Sequence, residues 1–210
     1  MRKIGIMGGT FDPIHIGHLI LGENACQQFG LEKVIFMPAG NPPHKQHRDG
    51  RASNEDRMKM VGLAIASNPH FELSDVEMNE KGFTYTYRTL ELLKKLNPDA
   101  EYYFIIGADS LFDFDKWMKP QRICDACTIV AATRNHTSSE ALDAAIAHVA
   151  ETYRASIYKL DTENIDVSSN MIREWITEDR TIRYYVPDSV IDYIREHDVY
   201  AGLKPTMRVK

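Results

Sequence analysis

A short apolar run, Ile4, Ile6 and Met7, stops at Gly8-Gly9, and residues 16–29 then place Leu19, Gly22, Cys26 and Phe29 at helical spacing. Strand, glycine turn and helix in that order open an α/β unit, and the rest of the chain has to be compatible with it. Residues 34–37 read as a second buried strand, and residues 38–53 as a loop rich in Pro, Gly, His and basic side chains. Asn54 with Arg57, followed by Met58, Val61, Ala64 and Ile65, predicts a capped helix.

The alternation continues. Residues 71–76 are strand-like, 85–96 are helical and stopped by Asn97-Pro98, and 102–106 form a continuous apolar strand. Residues 128–132 give another strand, Ser138-Ser139 caps a helix with Leu142, Ala145, Ile146, Val149 and Tyr153 on one face, and 157–160 give the last strand. Ser168-Ser169 is expected to cap a helix carrying Met171, Ile172, Trp175 and Ile176, and Pro187 to open a helix over 190–195 as a first-turn proline. The pattern predicts an α/β fold: a doubly wound, mostly parallel sheet with helices on both faces and a helical C-terminal segment over 168–200. With 210 residues, 43% of them hydrophobic, one core is expected: a single domain over 1–203 and a tail at 204–210.

Charge and cysteine usage narrow the function classes. A net charge of -5 argues against a polyanion-binding surface, so no nucleic acid partner is expected and any anion should sit in a local site. The apolar stretch at the N-terminus ends at Asp12-Pro13, too soon for a signal peptide or a membrane span, so no membrane partner and a cytoplasmic location are expected. Three cysteines, Cys26, Cys124 and Cys127, suit a reducing compartment. The C-x-x-C pair Cys124/Cys127 falls at the end of a predicted helix rather than its start and lacks a second ligand pair, so ordinary buried thiols are expected.

In an open α/β sheet, ligands bind beyond the carboxyl ends of the strands. The first such loop runs Gly8-Gly9-Thr10-Phe11-Asp12-Pro13-Ile14-His15-Ile16-Gly17-His18. Two glycines let the backbone approach a phosphate, the following helix offers N–H groups and a partial positive charge, and His15 and His18, three residues apart, can point into one pocket. A Gly-Gly turn alone is weak evidence, but the eleven-residue run between strand and helix is specific.

That run resembles the signature of the T/HxGH nucleotidyltransferase superfamily, in its nicotinate mononucleotide adenylyltransferase form, and the resemblance spans nearly the whole chain. Pro42-Pro43-His44-Lys45, Thr84-Tyr85-Thr86, Gly107-Ala108-Asp109, Trp117 and Ser168-Ser169 with Ile172-Arg173 are similar to further motifs in order and spacing. Two departures are Asn170, where the family usually carries Thr, and the segment after Arg134, which lacks a frequent Pro-Gly. The resemblance implies a Rossmann-like nucleotidyltransferase fold. It also implies transfer of the adenylyl group of ATP to nicotinate mononucleotide, giving nicotinate adenine dinucleotide and pyrophosphate in NAD biosynthesis.

It further implies His15, His18, Lys45 and Arg173 as catalytic residues. ATP would meet Gly8, Gly9, Thr10, Phe11, His15, His18, Gly107, Asp109, Arg134, Ser168, Ser169 and Arg173. The mononucleotide would meet Thr10, His44, Lys45, Tyr85, Thr86 and Trp117. Both substrates are anions, so the barrier is charge repulsion and the catalyst needs cations and positioning rather than a protein nucleophile. The two imidazoles are expected at the α-phosphate, His44 and Lys45 at the acceptor phosphate or pyrophosphate, and Arg173 at the β- and γ-phosphates. Asp109 is expected on the ribose hydroxyls, Trp117 stacked on the pyridine ring, and Tyr85 and Thr86 on the nicotinate carboxylate. Magnesium should enter with ATP, with no dedicated protein site and no other metal. Arg48, Arg51 and Lys59 are expected on a solvated face. The expected partners are the two substrates. The sequence fixes no oligomeric state and is compatible with a homodimer.

Three other readings are weaker. A related transferase could take nicotinamide mononucleotide, phosphopantetheine or glycerol phosphate as acceptor, but the latter two families are generally shorter and lack a Pro-Pro-His-Lys loop. A nucleotide-binding module without catalysis would not need His15, His18, Lys45 and Arg173 together. His15-Ile-Gly-His18 is also the tetrapeptide of class I aminoacyl-tRNA synthetases, yet the chain is short and acidic and has no Lys-Met-Ser-Lys-Ser-like loop.

Overall fold

The structure is a computed structural model that describes residues 1–41, 51–78, 82–133, 139–163 and 165–203. Six strands form one sheet: β1 (Arg2–Gly9), β2 (Lys33–Pro38), β3 (Phe71–Leu73), β4 (Ala100–Gly107), β5 (Thr128–Ala132) and β6 (Ile157–Leu160). Their order is β3-β2-β1-β4-β5-β6, and every pairing is parallel. The helices between them are α1 (Ile16–Phe29), α2 (Asn54–Ile65), α3 (Thr86–Leu96), α4 (Ala108–Phe112), α5 (Pro120–Ala126) and α6 (Ser139–Tyr153). After the last strand come α7 (Ser169–Thr177) and α8 (Asp188–Glu196).

Strand periodicity builds the two layers. Val34 and Phe36 of β2, Ile105 of β4 and Val130 of β5 point to the face covered by α1, α2, α7 and α8. Ile4 and Ile6 of β1, Ile35 and Met37 of β2, Phe104 and Ile106 of β4, and Ile129 of β5 point to the face covered by α3 to α6. Strands buried on both faces read as continuous apolar runs, which is why 34–37, 102–106 and 128–132 were visible as strands. The predicted doubly wound α/β fold is observed, and the helices at 168–200 share the core of α1 and α2.

Local differences have local causes. The cap of α2 is Ser53, one residue before Asn54: its hydroxyl accepts from Asp56 N at 3.0 Å while Asp56 Oδ2 accepts from Ser53 N. Pro187 is the N-cap residue of α8 rather than its first helical residue. β3 stops at Leu73, the last residue in register with β2, and Ser74 closes the pairing by donating its N–H to Phe36 O at 2.9 Å. The predicted cap Ser138 and the tail at 204–210 lie outside the described residues.

The helix α5, with Pro120 in its first turn, was seen in sequence only through its C-terminal end. Cys124 lies in it and Cys127 caps it. All three cysteines are free, and burial pushes Cys124 up to about 11 and Cys127 to about 12. The expectation of ordinary packed thiols holds.

Candidate active site

Strand order reverses direction of travel between β1 and β4, and there the connections leave to opposite faces of the sheet. A cleft of about 1230 Å3 opens at their carboxyl ends, floored by Met7, Gly8 and Gly9 of β1 and Ile105, Ile106 and Gly107 of β4. This is the place the fold reserves for a ligand.

One wall comes from the β1–α1 loop and α7. Thr10, Phe11 and His18 line it, facing Ser169, Asn170 and Arg173. Phe11 adopts a positive φ of 50°, a conformation costing a bulky residue on the order of 1 kcal/mol or more, and its ring is 2% exposed. That ring packs edge-on against His18 at 4.9 Å and lies across Gly9, where an added Cβ would come within 3.0 Å of it. Phe11 therefore buries its ring across Gly9 and supports His18. At Gly17 an added Cβ would approach Val167 Cγ1 to 2.9 Å and His15 Nδ1 to 3.1 Å, so only glycine lets α1 start this close to the chain before α7.

The two histidines do not play equal parts. Their rings stack with centroids 3.7 Å apart, but only His18 lines the main cleft. His15 is 1% exposed, lies behind His18 and shares with it a much smaller cavity bounded by Thr133, Thr162 and Val167. The two imidazoles do share one cavity, as their spacing suggests, but it is the smaller one: His15, the N-cap of α1, keeps its buried ring behind His18 and off the lining of the main cleft. The His15 amide donates to His18 Nδ1 at 3.3 Å, so Nδ1 is the accepting nitrogen of that ring and Nε2 its N–H.

The helix end is also less available than the sequence suggested. Ile16 N–H donates to Tyr185 O at 2.9 Å and His18 N–H to His15 O at 3.0 Å. The serine pair divides its work. Ser168 is absent from the cleft lining, because its hydroxyl caps α7 by accepting from Met171 N at 3.2 Å. Ser169 lines the cleft, and its hydroxyl donates to Pro13 O at 2.8 Å. Asn170, the departure from the family pattern, accepts from Arg173 Nη2 at 3.1 Å and so braces the arginine.

The other wall is aromatic. Tyr85 and Thr86 open α3, and Trp117 stands after a short 3-10 turn at Phe114–Lys116, tilted against Phe114 at 5.6 Å and edge-on to Phe104 at 6.1 Å. All three line the cleft, as do Gly107 and Asp109 at the start of α4. Asp109 sits in the first turn of that helix, whose N-cap is Gly107. Thr84 and Glu77 complete this side, the Glu77 carboxylate accepting from Thr89 Oγ1 at 2.8 Å. His44, Lys45 and Arg134 lie outside the described residues, as does Arg48.

Four residues given no site role from sequence shape the site: Asp12, Arg51, Arg57 and Tyr200. Arg51 is not on a solvated face: it lines the cleft and its Nη2 donates to Thr10 Oγ1 at 3.4 Å. Lys59 is exposed as expected. Arg57 is fully buried and donates to Thr10 O and Ala39 O, each at 2.8 Å, and to Asn54 Oδ1 at 2.6 Å, tying the loops after β1 and β2 together. Burial, with Arg51 nearby, holds its pKa down to about 10. Asp12, 4% exposed, accepts from Ala52 N at 3.1 Å and from the Tyr200 hydroxyl at 2.8 Å. Burial and the Asp12 charge push that hydroxyl far above its usual range. A sequence signal existed for Arg57, which shares a helical face with Val61 and Ala64; none existed for Tyr200, 188 residues from its partner.

Comparison with known proteins agrees with this geometry. A cytidylyltransferase-like family profile matches residues 6–175. A probable nicotinate-nucleotide adenylyltransferase of Lachnoclostridium phytofermentans is 44% identical over 200 residues, covering 95% of this chain and 100% of the relative. Another so named, from a Thermoanaerobacter species, is 40% identical and covers 94% of each. Among solved structures, nicotinic acid mononucleotide adenylyltransferase of Plasmodium falciparum complexed with NaAD superposes with a TM-score of 0.77. It covers 97% of this chain and 99% of that one, and at 21% identity it attests the fold. A parallel sheet with this switch-point cleft and full-length relatives at 40% identity and above establish that the chain belongs to the nicotinate-nucleotide adenylyltransferases within the cytidylyltransferase-like family.

Proposed function

We propose that the protein is a nucleotidyltransferase that moves the adenylyl group of ATP to nicotinate mononucleotide, releasing pyrophosphate and forming nicotinate adenine dinucleotide. One observation carries the mechanism: a single cleft has cationic and hydrogen-bonding groups on one wall (His18, Arg51, Arg173, Thr10) and flat aromatic groups on the other (Tyr85, Trp117). That is the division a triphosphate and a pyridine ring require.

An oxygen of the acceptor phosphate attacks the α-phosphorus in line, and the bond to the β-phosphate oxygen breaks. A cation about 4 Å from one of these oxygens contributes roughly 4 kcal/mol at an effective dielectric near 20, before desolvation. His18 Nε2–H is assigned to the α-phosphate, where charge gathers in the transition state, with Thr10 and the Gly8-Gly9 backbone beside it. Arg173 and Arg51 take the β- and γ-phosphates. His15, behind His18, fixes its ring plane. Asp109 receives the ribose hydroxyls, Trp117 stacks on the pyridine, and Tyr85 and Thr86 meet the nicotinate carboxylate. His44 and Lys45 are assigned to the acceptor phosphate on sequence grounds. Magnesium arrives as part of the substrate, held by phosphate oxygens and water.

None of the described helices is long and apolar enough to cross a membrane, and the three free thiols fit the cytoplasm. The test is turnover of purified protein with ATP, magnesium and nicotinate mononucleotide, following pyrophosphate and dinucleotide together. Equimolar release of both is expected, with slower turnover of nicotinamide mononucleotide. Pyrophosphate release only with phosphopantetheine or glycerol phosphate as acceptor would overturn the reading.

A further inference from the structure

Asp12 carries a buried carboxylate in the first loop, and four groups from three separate segments converge on it. Oδ1 accepts from Ala52 N at 3.1 Å and from Tyr200 Oη at 2.8 Å. Oδ2 lies 3.9 Å from Arg51 Nε and 3.7 Å from Arg173 Nη1, and Arg173 Nη1 also donates to the Asp12 carbonyl. The carboxylate is 6% exposed, against 21% for Arg51 and 17% for Arg173, so of these three cleft-lining side chains the acid is the most deeply covered.

Two guanidiniums brought together from the α2 side and from α7 repel each other, and each side chain has many rotamers to lose. A buried negative charge near both offsets the repulsion and selects the rotamers that lean over the first loop. Tyr200, 6% exposed in the turn after α8, and the Ala52 amide fix the carboxylate in turn. Ordering done by the folded protein need not be done by the ligand.

We propose that Asp12 is a positioning residue that holds Arg51 and Arg173 together over the triphosphate end of the cleft, with Tyr200 locking it in place. The inference rests on the assignment of that end of the cleft to ATP. It adds the C-terminal turn to the machinery and makes a carboxylate, not a base, the organiser of the phosphate site.

The test compares Asp12→Asn and Tyr200→Phe with the parent protein by calorimetry, using ATP with magnesium, AMP and nicotinate mononucleotide. Asparagine keeps the size and the Oδ1 acceptor but removes the charge. Asp12→Asn is expected to weaken ATP by about tenfold while AMP and nicotinate mononucleotide change less than twofold, since only ATP reaches both arginines. Tyr200→Phe, which leaves the charge but frees its position, is expected to weaken ATP about threefold with the same selectivity. Parallel losses for ATP and AMP, or unchanged ATP affinity in a folded variant, would overturn the proposal; if Asp12→Asn does not fold, the Tyr200→Phe ratio decides. A parent protein without ATP affinity would instead overturn the assignment of the cleft and the proposal with it.

Discussion

Arg57→Met replaces a fully buried cation by an apolar side chain of similar length, and the structure allows its cost to be worked out. Two bonds to backbone carbonyls are lost, Arg57 Nη1 to Thr10 O and Nη2 to Ala39 O, both at 2.8 Å. Hydrogen bonds to a charged group contribute about 1.5–3 kcal/mol each, so the loss is about 3–6 kcal/mol. The third partner, Asn54, is exposed and can turn to water. Against the loss stands relief from burying the charge: a pKa held down to about 10 from 12.5 corresponds to about 3 kcal/mol. The sign follows from the direction: a base whose folded pKa is lowered costs stability at every pH below about 10, including neutral pH, and that cost disappears with the guanidinium.

The net expectation is a loss of about 1.5 kcal/mol, the middle of a range of about 0–3, or a melting temperature lower by about 3–6 °C for a chain of this size. Because Thr10 and Ala39 begin the loops after β1 and β2, kcat should fall at least about tenfold, with the KM for both substrates raised. Arg57→Lys, able to reach one carbonyl but not both, should fall between. Thermal unfolding and pyrophosphate-release kinetics measure the two effects. An Arg57→Met protein that melts within 1 °C of the parent and turns over normally would refute the idea that this arginine ties the loops.

His18→Ala should lower kcat by about 100-fold or more while ATP affinity by calorimetry changes little, because Nε2–H acts on charge that develops only in the transition state; equal losses in both would make His18 a binding residue. Trp117→Ala should raise the KM for the mononucleotide by about tenfold and leave that for ATP nearly unchanged, and equal damage to both would mark it as packing for Phe104 and Phe114. At pH 8 the native protein should react slowly with iodoacetamide at Cys124 and Cys127, since thiols raised to about 11 and 12 hold little thiolate there, while all three cysteines label quickly in denaturant; fast native labelling would contradict the burial.

The sequence exposed whatever depends on neighbours in the chain. Apolar runs at 34–37, 102–106 and 128–132 gave strands, and helical spacing gave α1 with its observed ends, because a strand buried on both faces and an amphipathic helix write their periods directly into the residues. The cleft walls followed from motif order. What stayed hidden depends on distant partners. Arg51 looked like one basic residue among several until Asp12 and Thr10 were placed beside it. Tyr200 was invisible because its partner is near the other end of the chain. His15 and His18 were read as equivalent from their spacing, and only the N-cap geometry and the ring of Phe11 separate an outward imidazole from a buried one.

The most direct measurement of the central claim is a crystal structure of the protein with a non-hydrolysable ATP analogue, magnesium and nicotinate mononucleotide. The account predicts the triphosphate between the Gly8-Gly9-Thr10 backbone, His18 and Arg173, with the pyridine ring against Trp117. A triphosphate lying instead along the Tyr85–Trp117 wall, or a nucleotide bound away from the carboxyl ends of β1 and β4, would contradict it.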